Sequence, residues 1–254
     1  MLNYTTAGTG KPIFLIHGLF GSLENLGVIA RQLQKHYQVT SIDLPDHGKS
    51  SRSDAFSFDK YGEAIKQVVE QVTESKAVLL GHSLGGKVAM HLSLHYPDLV
   101  DKLVVADIAP VSYEPRHQNV MAGLNAVDLT KITSRSDADA AMTNHIVELG
   151  VRQFLLKSLY KTDTGFAWRF NLPLLQRDYH QLSQGIDSSN AFLGETLFIK
   201  GGNSNYITAD HQAKIKQLFP NAQAKIMTGT GHWLHAEKPF VFAGIVERFL
   251  ENSK

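Results

Sequence analysis

Short apolar runs alternate along the chain with longer segments in which apolar residues recur every three or four positions. The short runs are typical of buried β-strands, and the longer spacing is typical of amphipathic helices. The pattern predicts strands over 12–17, 37–43, 76–81, 103–108, 195–200 and 224–227. It predicts helices over 25–35, 58–74, 85–96, 209–219 and 239–250.

This alternation stops between residues 111 and 190, where the sequence is polar and helical with scattered aromatic residues. Strands and helices that alternate predict an α/β fold, with a mostly parallel central sheet covered by helices on both faces. Residues 1–110 and 191–254 would form this core. Residues 111–190 would form a helical cap inserted between its two parts.

One serine lies in a short glycine-containing motif, Gly81-His82-Ser83-Leu84-Gly85. This is the motif G-x-S-x-G, and it falls between a predicted strand and a predicted helix. In such a turn the serine hydroxyl projects from the end of the sheet, and larger residues at either glycine would collide with neighbouring backbone. Ser83 is therefore the predicted nucleophile. The alternative is a glycine-rich turn with an incidental serine.

A histidine follows the last predicted strand, in Gly229-Thr-Gly-His232-Trp. Its loop opens at the same edge of the sheet as the turn at Ser83, and the chain order serine, acid, histidine is typical of this arrangement. We predict that His232 is the general base. The alternative is a buried loop histidine bonded only to backbone.

The loop after the first strand, His17-Gly-Leu-Phe-Gly21, is a source of backbone N–H groups. Hydrolysis of an ester by serine needs two such donors for the developing oxyanion. The first is predicted at Leu84, directly after the nucleophile. The second is predicted at Leu19, with Phe20 as the alternative, and Phe20 is also a predicted substrate contact. His17 is expected to bond within its own loop.

Together these segments resemble the α/β-hydrolase superfamily over nearly the whole chain. Stretches 17–22, 43–50 and 105–110 resemble in particular its small acyl esterases and abhydrolase-domain proteins. The resemblance implies a Ser-His-Asp triad that hydrolyses short acyl esters or acyl-CoA thioesters. No metal or organic cofactor is implied.

The acid of the triad departs from the superfamily's usual pattern, in which a Gly-x-x-Asp sequence follows the strand after the cap. Here that loop carries Asn203 and Ser204, neither of which has a charge to stabilise an imidazolium. Asp107 ends the strand after the nucleophile's strand and is the predicted acid. Asp210 is the alternative, although a carboxylate in the first turn of a helix commonly stabilises the helix dipole without a catalytic role.

The cap contributes several candidates for substrate contacts. Its aromatic and leucine residues either line an acyl pocket or pack on one another: Trp168, Phe170, Leu172, Leu174 and Leu175. Tyr206, after the loop that lacks the acid, is predicted at the pocket entrance. Arg116 and His117 open the cap and could face an anionic substrate. Residues 111–190 nevertheless hold eight Lys or Arg and eight Asp or Glu, so the cap has no basic surface.

The composition gives no sign of a nucleic-acid or membrane partner, so a small-molecule substrate is expected. The 254 residues carry a formal net charge of +1 without a long basic run, which gives no reason to expect nucleic acid. Cysteine is absent, and no segment approaches a membrane span or a secretory leader, so a cytoplasmic protein is expected. His91 and His95 stand four residues apart without a third ligand, so no metal site is predicted. The oligomeric state stays open.

The predicted function is that of a serine esterase acting on a small acyl ester or thioester. Two other classes use the same fold. One is C–C bond hydrolysis or a lyase reaction, in which serine acts mainly as a base. The other is a small-molecule-binding homologue that has lost turnover.

Overall fold

The computed structural model describes residues 1–251, and nine strands are present in that part of the chain. They are β1 (Tyr4–Ala7), β2 (Pro12–Ile16), β3 (Gln38–Ile42), β4 (Ala77–His82), β5 (Val100–Ala106), β6 (Leu159–Thr162), β7 (Gly165–Trp168), β8 (Glu195–Gly201) and β9 (Ala222–Met227). Seven of them form one sheet with the order β1-β3-β2-β4-β5-β8-β9. All neighbours in this sheet are parallel except β1, which pairs antiparallel with β3 at one edge.

Helices follow most of these strands. They are α1 (Gly27–Leu33), α2 (Phe58–Val72), α3 (Leu84–His95), α4 (Gln118–Ala126), α5 (Arg135–Met142), α6 (Leu149–Leu156), α7 (Leu172–Arg177), α8 (Tyr179–Ser183), α9 (Gln212–Leu218), α10 (Leu234–Glu237) and α11 (Pro239–Glu251). The predicted fold class is confirmed, because a mostly parallel sheet lies between two layers of helices. The helices predicted over 25–35 and 209–219 each begin as a short 3-10 turn.

The sheet is apolar on both faces because alternate residues of each strand point to opposite sides. In register across β2, β4, β5 and β8 lie Leu15, Leu80, Val104 and Leu197, which pack in one core with residues of α1 and α11. The opposite face packs against α2 and α3. Because both faces of the sheet are buried, the sequences of the central strands are continuous apolar runs.

Residues 111–190, called the inserted segment below, contain α4 to α8 and a two-stranded hairpin of β6 and β7. The sequence pattern predicts helices alone here, and the hairpin corrects that prediction. Each of its strands has four residues, a length over which alternation cannot be separated from a helical pattern. Tertiary packing therefore decides its structure.

Parallel strands bring their carboxyl ends to one edge of the sheet, where α/β proteins commonly bind ligands. The loop 17–21 follows β2, Ser83 follows β4 and Asp107 follows β5. The loop 202–205 follows β8, and His232 lies in the loop after β9. Every predicted member of the triad is thus at this edge.

Candidate active site

Ser83 occupies a strained turn between β4 and α3. Its φ of 53° and ψ of −119° place it in a region that residues with a side chain rarely adopt. The turn is secured by a hydrogen bond of 3.0 Å from the Ser83 N–H to the Ala106 carbonyl of the adjacent strand. The side chain is half-buried at the N-terminus of α3.

The two glycines that flank this turn are required by close backbone contacts. A Cβ at Gly81 would lie 2.2 Å from the carbonyl oxygen of Gly85, and a Cβ at Gly85 would lie 2.3 Å from that of Ile16. Both distances are far below van der Waals contact. The motif predicted from sequence therefore has its expected steric cause.

Asp107 and His232 meet across the strand ends. The His232 Nδ1 lies 2.8 Å from Asp107 Oδ2, and the Asp107 side chain is fully buried. Since a carboxylate can only accept, Nδ1 carries the proton and the neutral ring leaves Nε2 as an acceptor. A serine hydroxyl, an imidazole of this tautomer and a buried carboxylate are the groups that acyl transfer to serine uses.

The serine at the usual acid position bonds to the predicted acid, Asp107. The Ser204 hydroxyl donates to Asp107 Oδ2, the same oxygen that accepts from His232. The Gly201 N–H donates to Oδ1 at 2.8 Å. Both carboxylate oxygens thus have partners, which orients a charged group that lacks contact with solvent. The sequence indicated only that Ser204 is not an acid; its role as a donor appears in the fold.

Asp210, the alternative acid, is exposed and lies in the 3-10 turn Ala209–His211. The hydrogen bond from His232 Nδ1 goes to Asp107 instead.

The His232 ring is held by stacking as well as by its hydrogen bond. The Tyr206 ring lies parallel to it with centroids 3.9 Å apart, and the Arg116 guanidinium lies 4.8 Å from the Tyr206 ring. The backbone of His232 is held as well, because His82 Nε2 donates to the His232 carbonyl at 2.9 Å. Tyr206 was predicted at the pocket entrance, and its closest aromatic contact is this imidazole.

Several imidazoles around the site are neutral because they are buried. Loss of solvent lowers the pKa of His82 well below its ordinary range and the pKa of His235 to about 3. His117, on the inserted segment, has its pKa lowered to about 4 by the same cause. Its Nδ1 lies 2.6 Å from the Tyr179 hydroxyl.

The predicted oxyanion donors lie in the two loops nearest to Ser83. Leu84 is the first residue of α3, so its N–H has no intrahelical partner. Within residues 1–251 neither Leu19 nor Phe20 uses its N–H in a hydrogen bond. Both remain candidates for the second donor. His17 bonds to the Gly18 carbonyl at 2.8 Å, as expected for a loop histidine, and also accepts from the Leu44 N–H.

Two clefts meet at Ser83, and both are lined by Ser83, Leu19 and His117. The first cleft is mostly apolar, with walls from Phe20, Val120, Val151, Phe154, Leu155 and Trp233. The second cleft has apolar walls from Leu84, Ile108 and Leu182. It also carries charged and hydroxyl-bearing side chains, which are Lys87, Tyr113, Glu114, Arg116, Ser183, Tyr179 and Tyr206. Phe20 lies in the first cleft and Tyr206 in the second.

The aromatic and leucine residues of the inserted segment are mostly core residues. Trp168, Phe170, Leu174 and Leu175 are buried in the hydrophobic core and line neither cleft. The Phe170 ring packs 5.0 Å from that of Phe20. Of the two interpretations left open, packing within the protein is correct for these four, and other residues form the apolar cleft.

In residues 1–251 no three His, Asp or Glu side chains cluster as a metal site requires. No helix in the same range combines the length and apolarity needed to cross a membrane.

The comparisons with known proteins agree on one family. The family described as "alpha/beta hydrolase fold" matches residues 11–239. Esterase YbfF of Escherichia coli (strain K12) is 39% identical over 243 residues, which cover 95% of this chain and 94% of that protein. The sn-1-specific diacylglycerol lipase ABHD11 of Mus musculus is 35% identical over 250 residues, covering 95% and 81%.

A solved structure is also similar to this chain in its fold. The structure of a "Marine microorganism esterase" superimposes with a TM-score of 0.95 at 32% sequence identity and covers 98% of each chain. The relatives and this structure share both the fold and esterase chemistry. The chain therefore belongs to the α/β-hydrolase fold family and is an esterase of that family.

Proposed function

We propose that this esterase hydrolyses short acyl esters through a triad of Ser83, His232 and Asp107. The observation that carries the proposal is the 2.8 Å bond between His232 and the buried Asp107, at the sheet edge where Ser83 sits on its strained turn. These groups belong to three separate strand ends. Their convergence supports a catalytic role better than any one of them does alone.

In the proposed mechanism His232 Nε2 takes the Ser83 proton as Oγ attacks the acyl carbonyl. The carboxylate of Asp107 keeps the imidazole in the required tautomer and stabilises its positive charge. The N–H groups of Leu84 and Leu19 donate to the oxyanion. His232 then protonates the leaving alcohol, and a water activated by His232 releases the acyl group from Ser83.

The apolar first cleft supports an acyl chain as its occupant, because aliphatic walls gain free energy by excluding water from a hydrocarbon. The mouse relative's name specifies a diacylglycerol, which supports glycerol esters as one substrate class to examine. Acyl-CoA thioesters are the second class, since the same nucleophile and oxyanion donors can cleave them. A series of esters and CoA thioesters of increasing chain length, assayed side by side, would separate these classes.

The test of the mechanism is Ser83→Ala, which removes the nucleophile and adds no bulk to the turn. We expect kcat for ester hydrolysis to fall by about 10⁴ to 10⁶ while the fold is kept. Ser189→Ala, at an exposed loop serine, is the matched control and should retain full activity.

Labelling by a fluorophosphonate probe should depend on Ser83 in the same way. An alanine variant that keeps more than a tenth of the activity would rule out the mechanism. A wild-type protein that is neither labelled nor active on any ester would indicate a binding homologue.

A further inference from the structure

Lys87 is a buried lysine one helical turn after Ser83. Its side chain is 2% exposed, although a lysine on a helix is ordinarily solvated. Ser83 directly precedes α3, and the Lys87 N–H donates to the Ser83 carbonyl at 3.1 Å. The Lys87 side chain lines the second cleft together with that serine.

The Lys87 ammonium has hydrogen-bond partners for only two of its three N–H groups. It donates to the carbonyl oxygens of Ser183 and Gln184, at 3.1 and 2.5 Å, where α8 ends. In the described residues 1–251 its third N–H has no acceptor. One donor is thus left for a ligand in the cleft.

No carboxylate compensates the charge of this ammonium within the described chain. Burial alone lowers the pKa of Lys87 to about 7. The nearest favourable groups are two aromatic faces, with Nζ 5.0 Å from the Tyr113 ring and 5.9 Å from the Phe58 ring. A buried cation without a counter-ion is costly, and an anion that enters the cleft would offset that cost.

A second cation stands in the same cleft. The Arg116 guanidinium lies over the rings of Tyr113 and Tyr206, at 5.1 and 4.8 Å, and donates to the Asn205 side chain at 2.7 Å. Glu114 also lines the cleft, but its side chain is exposed and forms an ion pair with neither cation. The cleft therefore has a buried cationic end and an exposed cationic end.

From these contacts we propose that the second cleft is an anion subsite, in which Lys87 and Arg116 bind a carboxylate or phosphate carried by the ester substrate. The proposal rests on the proposed function, because it places the ester carbonyl at Ser83. Because Ser83 and Lys87 are joined by a backbone hydrogen bond and line the same cleft, the anion must be only a few bonds from that carbonyl. Suitable substrates are half-esters of short dicarboxylic acids, with the anion on the acyl side, or esters of a phosphorylated short alcohol.

The experiment compares anionic esters with neutral isosteres. Monomethyl glutarate and its monoamide, methyl glutaramate, test the acyl side; acetylglycerol phosphate and acetylglycerol test the alcohol side. In at least one pair, wild-type kcat/KM should favour the anionic ester about tenfold or more. Lys87→Gln, which keeps N–H donors but loses the charge, should lower that ratio about tenfold or more, chiefly through KM.

Lys161→Gln, at an exposed lysine of β6, is the matched control and should leave both ratios unchanged. A wild-type enzyme that favours neither anionic ester would overturn the subsite, even if the Lys87 variant failed to fold. So would a preference that Lys87→Gln leaves intact, in which case Lys87 only ties α3 to α8. Hydrolysis that survives Ser83→Ala would instead overturn the proposed function, so the two failures are distinguishable.

Discussion

The ends of β5 and β8 lie side by side and differ in the side chain that each presents near His232. At the end of β5 stands a carboxylate, Asp107, with a φ of 51°, and at the end of β8 stands Ser204. The superfamily pattern from which this sequence departs places the acid at the second position. Here the two positions are joined by a hydrogen bond, with the serine hydroxyl as the donor.

In the proposed triad, the acid must reach a fixed location in space, but either of two strands can carry it. Neighbouring strands are about 4.8 Å apart, so two adjacent strand ends can reach the same imidazole. A carboxylate at either end can therefore orient His232. The position without the acid can serve as a hydrogen-bond donor to the position that has it.

Of changes at these two strand ends, the largest effect is expected from Asp107→Asn. The amide cannot supply a negative charge, and it can donate to Nδ1 and so favour the wrong tautomer of His232. We expect kcat to fall by about 10⁴, measured on a short acyl ester. Asp210→Asn is the matched control at an exposed carboxylate, and its activity should stay within about twofold of wild type. If Asp210→Asn were instead the inactive variant, the assignment of the acid to β5 would be wrong.

A smaller effect is expected when the acid is moved back to β8. In the double variant Asp107→Asn/Ser204→Asp, the carboxylate would stand where most of the superfamily has it. Ser204 and His232 both donate to Oδ2 of Asp107 in the native protein, so a carboxylate at position 204 starts close to the imidazole. We expect kcat to recover by about tenfold or more over Asp107→Asn alone. No recovery would mean that the loop after β8 has lost the geometry needed for an acid.

A smaller effect again is expected from Ser204→Ala. The buried carboxylate would lose one of its hydrogen bonds, and a bond to a charged group contributes roughly 1.5–3 kcal/mol. Since two partners remain, we expect kcat/KM to fall by about tenfold and the free energy of unfolding to fall by about 1–2 kcal/mol. Ser204→Thr keeps the hydroxyl and should retain most of the activity. Equal losses in both variants would argue against the hydroxyl and for a packing effect.

The smallest effect is expected on the stability of the protein at acid pH. It comes from imidazoles that are buried near the strand ends. The pKa of His235 falls to about 3 on folding from about 6.5 in an unfolded chain. Between these values the unfolded state binds more protons, so stability present above pH 6.5 is lost as the pH falls. The expected slope is about 1.4 kcal/mol per pH unit for each such histidine.

Urea unfolding at pH 7 and pH 5.5 would measure this slope. His235→Asn should show a shallower decline than wild type, and His36→Asn, at an exposed histidine, should not. Equal declines in all three proteins would show that His235 does not titrate on unfolding in this range.

Local sequence was enough for the features that depend on backbone geometry. The turn at Ser83 could be predicted because two glycines in the motif are needed wherever a strand turns sharply into a helix. The contact between Asp107 and His232 could be predicted because Ser204 leaves the usual position without an acid and parallel strands end at one edge. The hairpin of β6 and β7 could not, because its strands are too short for a reliable period and depend on packing.

The burial of Lys87 is a feature that the sequence pattern does not determine and that only the tertiary structure decides. The pattern of apolar strands and amphipathic helices specifies the layers of the fold, and the motifs specify which edge carries the chemistry. Whether Lys87 faces water or a cleft depends on where α8 comes to rest, far along the chain. The same holds for Trp168 and Phe170, which lie in the core and line neither cleft at Ser83. Burial depends on contacts between residues distant in sequence, and these exist only once the tertiary structure has formed.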